Sequence, residues 1–193
     1  MEIVVVKYNA GNIGSVVNAL ERLGQACTLS DDPDEIRCAD KVIFPGVGEA
    51  SGTMKYLKDK GLDMVIPALK QPVLGICLGM QLMCSWSEEG DTPSLGIFPE
   101  KVKLFRGSIK VPHMGWNSIR FNPDGLFKGL KPRCYVYFVH SYFAETGAET
   151  LATCDYGTPF SAALHRDNFY AVQFHPEKSG EVGQLILRNF IEL

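Results

Sequence analysis

Residues 72–81, Pro-Val-Leu-Gly-Ile-Cys-Leu-Gly-Met-Gln, decide the fold of this 193-residue chain. An apolar run enters Gly75-Ile76-Cys77-Leu78-Gly79, and a helical pattern leaves it. The G-x-C-x-G spacing is the sulfur counterpart of the nucleophile elbow, a sharp strand-to-helix turn that lifts a nucleophile above a parallel sheet. The new helix points its free N–H groups and positive dipole end at the sulfur, which favours a thiolate. The stretch therefore predicts acyl transfer through a covalent thioester on Cys77.

Composition excludes several other kinds of protein. The net charge is −3 and no long basic run occurs, so nothing favours nucleic acid or an anionic membrane as a partner. The N-terminal residues enter a strand without a signal peptide's basic region, and no apolar stretch approaches membrane-spanning length. The six cysteines form no C-x-x-C pair. We therefore expect a cytoplasmic protein that holds no metal and no cofactor.

Strand and helix patterns alternate in the first half of the chain. Strands are predicted at Ile3–Tyr8, Ala26–Leu29, Lys41–Phe44 and before Cys77. Helices are predicted at Asn12–Leu23, after Asp31–Asp34, near Ala50–Lys58 and near Leu62–Leu69. This order is typical of an α/β fold with a mostly parallel sheet that is covered by helices on both faces.

Short strand candidates dominate from about Lys101 onward. They are Val102–Phe105, Ser118–Phe121, Cys134–Val139, Leu151–Thr153, Phe160–Leu164 and Phe169–Gln173. Turn residues separate them, which predicts an antiparallel extension of the same sheet. A closing helix is predicted from about Gly180 to Ile191, with Ser179 as its cap. No linker or repeat interrupts the chain, so we expect one domain over residues 1–193.

A base for the thiol is predicted at Phe174-His175-Pro176-Glu177, after the last predicted strand. A proline favours extended geometry in the residue before it, and residues two apart in an extended chain project to the same side. We therefore expect Glu177 to accept one imidazole N–H of His175 while the other nitrogen faces Cys77, as in a catalytic triad. Taken alone, His-Pro-Glu is an ordinary surface turn. His140, at a predicted strand end, is a second histidine that could line the same pocket.

Pro45-Gly46-Val47-Gly48 follows another predicted strand and is the expected second wall of the site. A thioester pathway forms a tetrahedral oxyanion, which requires backbone N–H donors. We expect one donor at Leu78 and the other at Gly46 or Val47, and the glycines make reorientation of a peptide inexpensive. The alternative is a dinucleotide-binding loop, but Ser51 stands at the third glycine position of G-x-G-x-x-G.

These motifs resemble the triad-type (class I) glutamine amidotransferases, which pair a G-x-C-x-G elbow with a downstream H-P-E and an upstream P-G-x-G loop. The resemblance covers nearly the whole chain and implies a flavodoxin-like fold. Within that family, the chain is similar to the glutaminase subunits of imidazole glycerol phosphate synthase in four segments. These are Cys77–Gln81, Pro112–Asn117, Tyr137–Tyr142 and His175–Ser179. Lys7 departs from the family, which usually has an acidic residue at that place in the first strand.

The resemblance implies a role for each matching residue. Cys77 would attack the side-chain amide of glutamine, and His175 would protonate the departing ammonia and then activate water. The α-amino and α-carboxylate groups of glutamine would be held by Gly48, Gln81, Glu89, Ser141 and Tyr142. Ammonia would pass to a (β/α)₈-barrel cyclase in a heterodimer. The implied contacts with that cyclase are Asn12, His113, Trp116, Asn117, Tyr137 and Lys178.

Two alternatives to this function stay open. The first is a glutaminase subunit of another synthase, of the anthranilate or aminodeoxychorismate type. Met80 and the segment around Trp116, which is expected to be irregular, argue against it. The second is a catalytically silent regulatory subunit on the same fold. The presence of Cys77, His175 and Glu177 argues against that.

Overall fold

A nine-stranded mixed sheet forms the centre of the computed structural model, which describes residues 1–8 and 13–193. Five neighbouring strands run parallel, in the order β2 (Thr28–Ser30), β1 (Ile3–Val6), β3 (Lys41–Phe44), β4 (Val73–Ile76) and β13 (Phe169–Val172). Four antiparallel strands continue the sheet beyond β13, in the order β12 (Pro159–Arg166), β11 (Thr150–Asp155), β8 (His113–Phe121) and β9 (Arg133–His140). The predicted α/β class is confirmed.

Helices cover both faces of the parallel half, as predicted. The helices are α1 (Ile13–Arg22), α2 (Pro33–Cys38), α3 (Ala50–Asp59), α4 (Leu62–Val65), α5 (Leu78–Met83) and α6 (Gly180–Glu192). Alternate residues of β1 enter two separate hydrophobic clusters, because successive side chains of a strand point to opposite faces. Val4 and Val6 pack with α2 to α5, whereas Ile3 and Val5 pack with α1 and α6. No helix in the described part of the chain is long and apolar enough to cross a membrane.

The position of one predicted strand was wrong. The segment predicted at Val102–Phe105 does not extend the central sheet. It is β7 (Lys101–Leu104) of a separate four-stranded sheet, together with β10 (Tyr142–Ala144), β5 (Trp86–Ser87) and β6 (Thr92–Pro93). The segment predicted at Phe169–Gln173 does lie in the central sheet, but β13 pairs in parallel with β4. Alternation of apolar residues shows that a segment is a strand, but it does not show which strand it pairs with.

Two local predictions also need correction. The segment around Trp116, which was expected to be irregular, is the first half of β8 and pairs with β9 from His113 onward. Ser179 precedes α6 but does not cap it with its side chain. Its hydroxyl instead donates to His175 O at 2.7 Å and accepts the Tyr137 N–H at 3.0 Å. Ser179 therefore joins the start of α6 to β9.

Candidate active site

The turn between β4 and α5 holds Cys77 in a strained backbone conformation. Its φ is 54° and its ψ is −108°, a region that residues with a side chain rarely occupy. The Cys77 N–H donates to Val172 O at 2.8 Å, and α5 begins at the next residue, Leu78. Gly79 allows α5 to lie directly on β3, because a Cβ there would be 1.9 Å from Phe44 O. The predicted strand–turn–helix geometry is confirmed.

His175 and Glu177 form a buried pair next to this turn. His175 Nδ1 lies 2.8 Å from Glu177 Oε1, and both side chains are 2% exposed. Burial lowers the pKa of His175, but the adjacent Cys77 and Glu177 outweigh burial and raise that pKa to about 10. Among the residues described, neither His175 Nε2 nor Glu177 Oε2 has a hydrogen-bond partner. The imidazole is therefore oriented through Nδ1, and Nε2 stays available for proton transfer.

The backbone that brings this pair together differs from the prediction. His175 is extended, with φ −99° and ψ 97°, but Pro176–Lys178 forms a 3₁₀ turn. The Lys178 N–H donates to His175 O at 3.0 Å, and the Ser179 N–H donates to Pro176 O at 3.0 Å. The expected extended geometry is therefore confirmed at His175 but wrong for the residues after it, because the proline starts a turn rather than a further strand residue.

The loop at Pro45–Gly48 lies against the start of α5, with a carbonyl group facing the predicted oxyanion position. The Leu78 N–H donates to Gly46 O at 3.4 Å. On the other side of the loop, the buried Tyr8 hydroxyl donates to Pro45 O at 2.5 Å. A Cβ on Gly46 would be 2.3 Å from Tyr8 Oη and 2.7 Å from Leu78 Cβ, so this close packing requires glycine. An oxyanion and the Gly46 carbonyl would compete for the same Leu78 N–H.

A cavity of about 330 Å³ opens above Cys77. Its lining includes all five residues that the resemblance assigns to glutamine: Gly48, Gln81, Glu89, Ser141 and Tyr142. His140 also lines it, together with Pro112 and Val139, for which the sequence predicted no role at the site. Burial raises the pKa of Glu89, whose carboxylate accepts the Ala50 N–H at 2.9 Å. The cavity thus places a carboxylate and an amide side chain near the sulfur.

The strand pair β8–β9 carries an exposed apolar face beside this cavity. Trp116 is paired with Tyr137 across the two strands, and their rings are 6.0 Å apart in an edge-to-face arrangement. Trp116 is 56% exposed, and the neighbouring Met114 and Tyr135 are also exposed. We call Met114, Trp116, Tyr135 and Tyr137 the aromatic face. An exposed apolar cluster of this kind marks an interaction site more often than it marks ordinary surface.

The other predicted interface residues differ in their positions. Lys178 is exposed and follows the His175–Glu177 pair. Asn117 is half-buried and donates to Asp155 O at 3.0 Å. His113 is only 3% exposed, because its ring stacks on Tyr156 inside the fold. Asn12 lies outside the described residues.

One side chain at the sulfur was not predicted from the sequence. Gln173, at the end of β13, is fully buried, and its Nε2 lies 3.7 Å from Cys77 Sγ. The only signal for it in the sequence was its place two residues before His175. The described residues contain no group of three histidine, cysteine, aspartate or glutamate side chains that could hold a metal ion.

The chain is similar to known proteins in four respects. The family model for glutamine amidotransferase class-I matches residues 4–193. The chain is 58% identical over 196 residues to the imidazole glycerol phosphate synthase subunit HisH of Bacteroides fragilis, and the match covers 100% of both proteins. It is 48% identical over 192 residues to the protein of the same name from Pasteurella multocida, with 98% of this chain and 97% of that protein covered. A solved structure of a glutamine amidotransferase has a TM-score of 0.77 at 19% identity, covers 98% of this chain and 97% of its own, and supports the fold alone.

Proposed function

The chain belongs to the glutamine amidotransferase class-I family, and we propose that it is the glutaminase subunit of an imidazole glycerol phosphate synthase in histidine biosynthesis. In this proposal it hydrolyses glutamine to glutamate and ammonia through a thioester on Cys77. The observation that carries the proposal is the buried His175–Glu177 pair next to the Cys77 thiol, which lies on a strained turn and lines a cavity of about 330 Å³.

The reaction uses Cys77 as nucleophile and His175 as acid and base. The Sγ thiolate attacks the side-chain carbonyl carbon of glutamine, and a tetrahedral oxyanion forms. His175 gives its Nε2 proton to the departing nitrogen, so ammonia leaves and a thioester remains. A water molecule then loses a proton to His175 and attacks the thioester, which releases glutamate and the thiolate. Glu177 keeps the imidazole oriented through Nδ1.

Glutamine recognition is proposed at the lining of the cavity. The Glu89 carboxylate suits the α-ammonium group of the substrate. Gln81 uses both of its side-chain N–H groups inside the protein, on Tyr142 O at 2.8 Å and on Gln173 Oε1 at 3.0 Å. Its Oε1 is therefore the atom left to accept a hydrogen bond from the substrate. Gly48, Ser141 and Tyr142 contribute backbone groups near the α-carboxylate.

The oxyanion site is proposed to form only after the loop changes conformation. The Leu78 N–H is already bonded to Gly46 O, so an oxyanion at that place requires the Gly46–Val47 peptide to rotate. Rotation would remove the carbonyl oxygen and present the Val47 N–H as the second donor. Glutaminase activity of the isolated chain should therefore be low, because a missing oxyanion donor slows acyl transfer by about 10²–10³-fold.

The partner in this proposal is a (β/α)₈-barrel cyclase, with which the chain forms a heterodimer. Free ammonia is mostly protonated at neutral pH and then no longer nucleophilic, so a closed passage between the two active sites serves the reaction. The aromatic face supports this partner, since it adjoins the active-site cavity at Val139, which follows Tyr137 in β9 by two residues. Lys178 lies in the 3₁₀ turn after His175, and the His175 N–H donates to the backbone of Tyr137. The cytoplasmic location stays a prediction.

The alternatives are weaker. A glutaminase subunit of another synthase is disfavoured because relatives that match this chain end to end carry the name HisH. A silent regulatory subunit is disfavoured because Cys77, His175 and Glu177 lie together in one buried site.

The test is a glutaminase assay of the purified chain, alone and with a cyclase and its nucleotide ligand. We expect low activity alone, a large increase with both additions, and none from Cys77→Ala in either condition. Trp116→Ala should weaken the increase, whereas Met64→Ala, at a 75%-exposed methionine of α4, should leave it unchanged. Full activity without the cyclase would refute the coupled function, and activity of Cys77→Ala would refute the thioester.

A further inference from the structure

The Gln173 side chain occupies a place that no step of the reaction above uses. It is completely buried at the end of β13, and its Nε2 lies 3.7 Å from Cys77 Sγ. The sulfur lies 3.9 Å from one backbone group, Val139 O. A carbonyl oxygen can only accept a hydrogen bond, so it can hold a protonated thiol but cannot stabilise a thiolate. Gln173, in contrast, presents an N–H donor.

The hydrogen-bond network fixes which end of the Gln173 amide faces the sulfur. Tyr142 O is an acceptor, so the atom of Gln81 that lies 2.8 Å from it must be the nitrogen. The second N–H of that nitrogen points to Gln173 at 3.0 Å, where only the oxygen can accept it. The Gln173 nitrogen is consequently the atom directed at Cys77 Sγ.

Two buried histidines keep the Tyr142 carbonyl in place. His140 Nδ1 lies 2.7 Å from Tyr142 O and must donate to it, which leaves His140 Nε2 to accept from His113 Nδ1 at 3.0 Å. Burial lowers the pKa of His140 to about 3 and that of His113 to about 4, so both rings are neutral at physiological pH. Each neutral ring has one donor nitrogen and one acceptor nitrogen. The acceptor nitrogen of His113, Nε2, receives its hydrogen bond from the Asn117 amide at 3.3 Å. The hydrogen bonds thus have one consistent direction from Asn117 to Tyr142 O.

We propose that Gln173 is a further catalytic residue, whose Nε2–H group donates a hydrogen bond to the Cys77 thiolate and is held in that orientation by Gln81. This inference rests on the proposed thioester reaction. A hydrogen bond to a charged acceptor is stronger than one between neutral groups, and burial strengthens it further. The bond acts twice in each turnover, before the sulfur attacks glutamine and again when the thioester releases the sulfur as thiolate.

The test measures alkylation of Cys77 by iodoacetamide as a function of pH, with peptide mass spectrometry to separate Cys77 from the other five cysteines. Gln173→Met and Gln173→Leu differ in shape but both lack the donor. Loss of a hydrogen bond to a charged group should lower the thiolate fraction near neutral pH by about 10-fold or more, and kcat with it. We expect both variants to move the alkylation midpoint upward by similar amounts.

Asn189→Leu is the matched control, because Asn189 is another buried side-chain amide. It lies in α6, and its N–H groups donate to Leu126 O and Lys128 O. It should leave the Cys77 midpoint unchanged. Circular dichroism and urea unfolding establish that each variant is folded. An unchanged midpoint in folded Gln173 variants would overturn the proposal, and so would a shift in only one of them, which would indicate packing. Alkylation needs neither glutamine nor a partner, so this failure is distinct from activity of Cys77→Ala, which would refute the proposed function itself.

Discussion

Among substitutions that add one methyl group to the active-site turn, Gly79→Ala is expected to reduce stability and activity most. A Cβ at this position would lie 1.9 Å from Phe44 O and 2.9 Å from Phe44 C, whereas real Cβ atoms keep at least 3.0 Å. Both obstructing atoms belong to the backbone of β3, so no side chain can rotate away. The start of α5 and the end of β3 must therefore separate by about 1.1 Å, the difference between 3.0 Å and 1.9 Å.

The separation affects both stability and catalysis. Overpacking of a core contact lowers the free energy of unfolding by about 1–3 kcal/mol, and the upper end applies where backbone must move. The same movement shifts Leu78, which follows Cys77 and is the first residue of α5, relative to the loop at Gly46. A displacement of about 1 Å at a reacting centre lowers the rate by about 10²-fold. We therefore expect a folded but weakened protein whose partner-activated glutaminase is reduced by about that factor.

Urea unfolding and the partner-activated glutaminase assay measure the two effects. Gly14→Ala is the matched control, since Gly14 lies in α1 and a Cβ there meets no described atom within 4 Å. This change should stabilise the protein by up to about 1 kcal/mol, because alanine favours a helix more than glycine does. If Gly79→Ala were as stable and as active as Gly14→Ala, the close contact between α5 and β3 would not require glycine at position 79, and the reasoning would be refuted.

Three further predictions concern the same site. Cys77→Gly should be more stable than Cys77→Ala by about 1 kcal/mol in urea unfolding, because glycine accepts the φ of 54° without strain; equal stabilities would contradict the strain. The pKa of His175 is raised from 6.5 to about 10, so its contribution to stability is complete below pH 6.5 and lost as the pH rises toward 10. The free energy of unfolding should therefore decline less across that range in Glu177→Gln than in the unchanged protein. An identical decline would contradict a stabilising His175–Glu177 pair. Tyr8→Phe leaves the buried Pro45 carbonyl without its hydroxyl donor and should lower the free energy of unfolding by about 1–3 kcal/mol, which thermal and urea unfolding can check.

What the sequence predicted correctly had a local cause. The elbow follows from the sterics of Gly75 and Gly79 around Cys77, and the pairing of His175 with Glu177 needs only two residues of separation. The position of β7 depends instead on which strand it meets, and that choice is made by long-range packing. Gln173 was not found as a site residue, since no motif marks it and its contact with the sulfur, 96 positions away in the chain, depends on the pairing of β13 with β4.

The strand β9 connects the aromatic face directly to the catalytic groups, so a partner docked on that face could influence them through a single strand. Its Tyr137 is part of the aromatic face, yet the backbone of the same residue accepts the His175 N–H at 2.9 Å and donates to Ser179 Oγ at 3.0 Å. Two residues later, Val139 O lies 3.9 Å from Cys77 Sγ. A small shift of β9 on binding would therefore move the base and the sulfur contact together, because both are bonded to one strand. Coupling of this kind requires only that the partner stabilises one position of β9 over another.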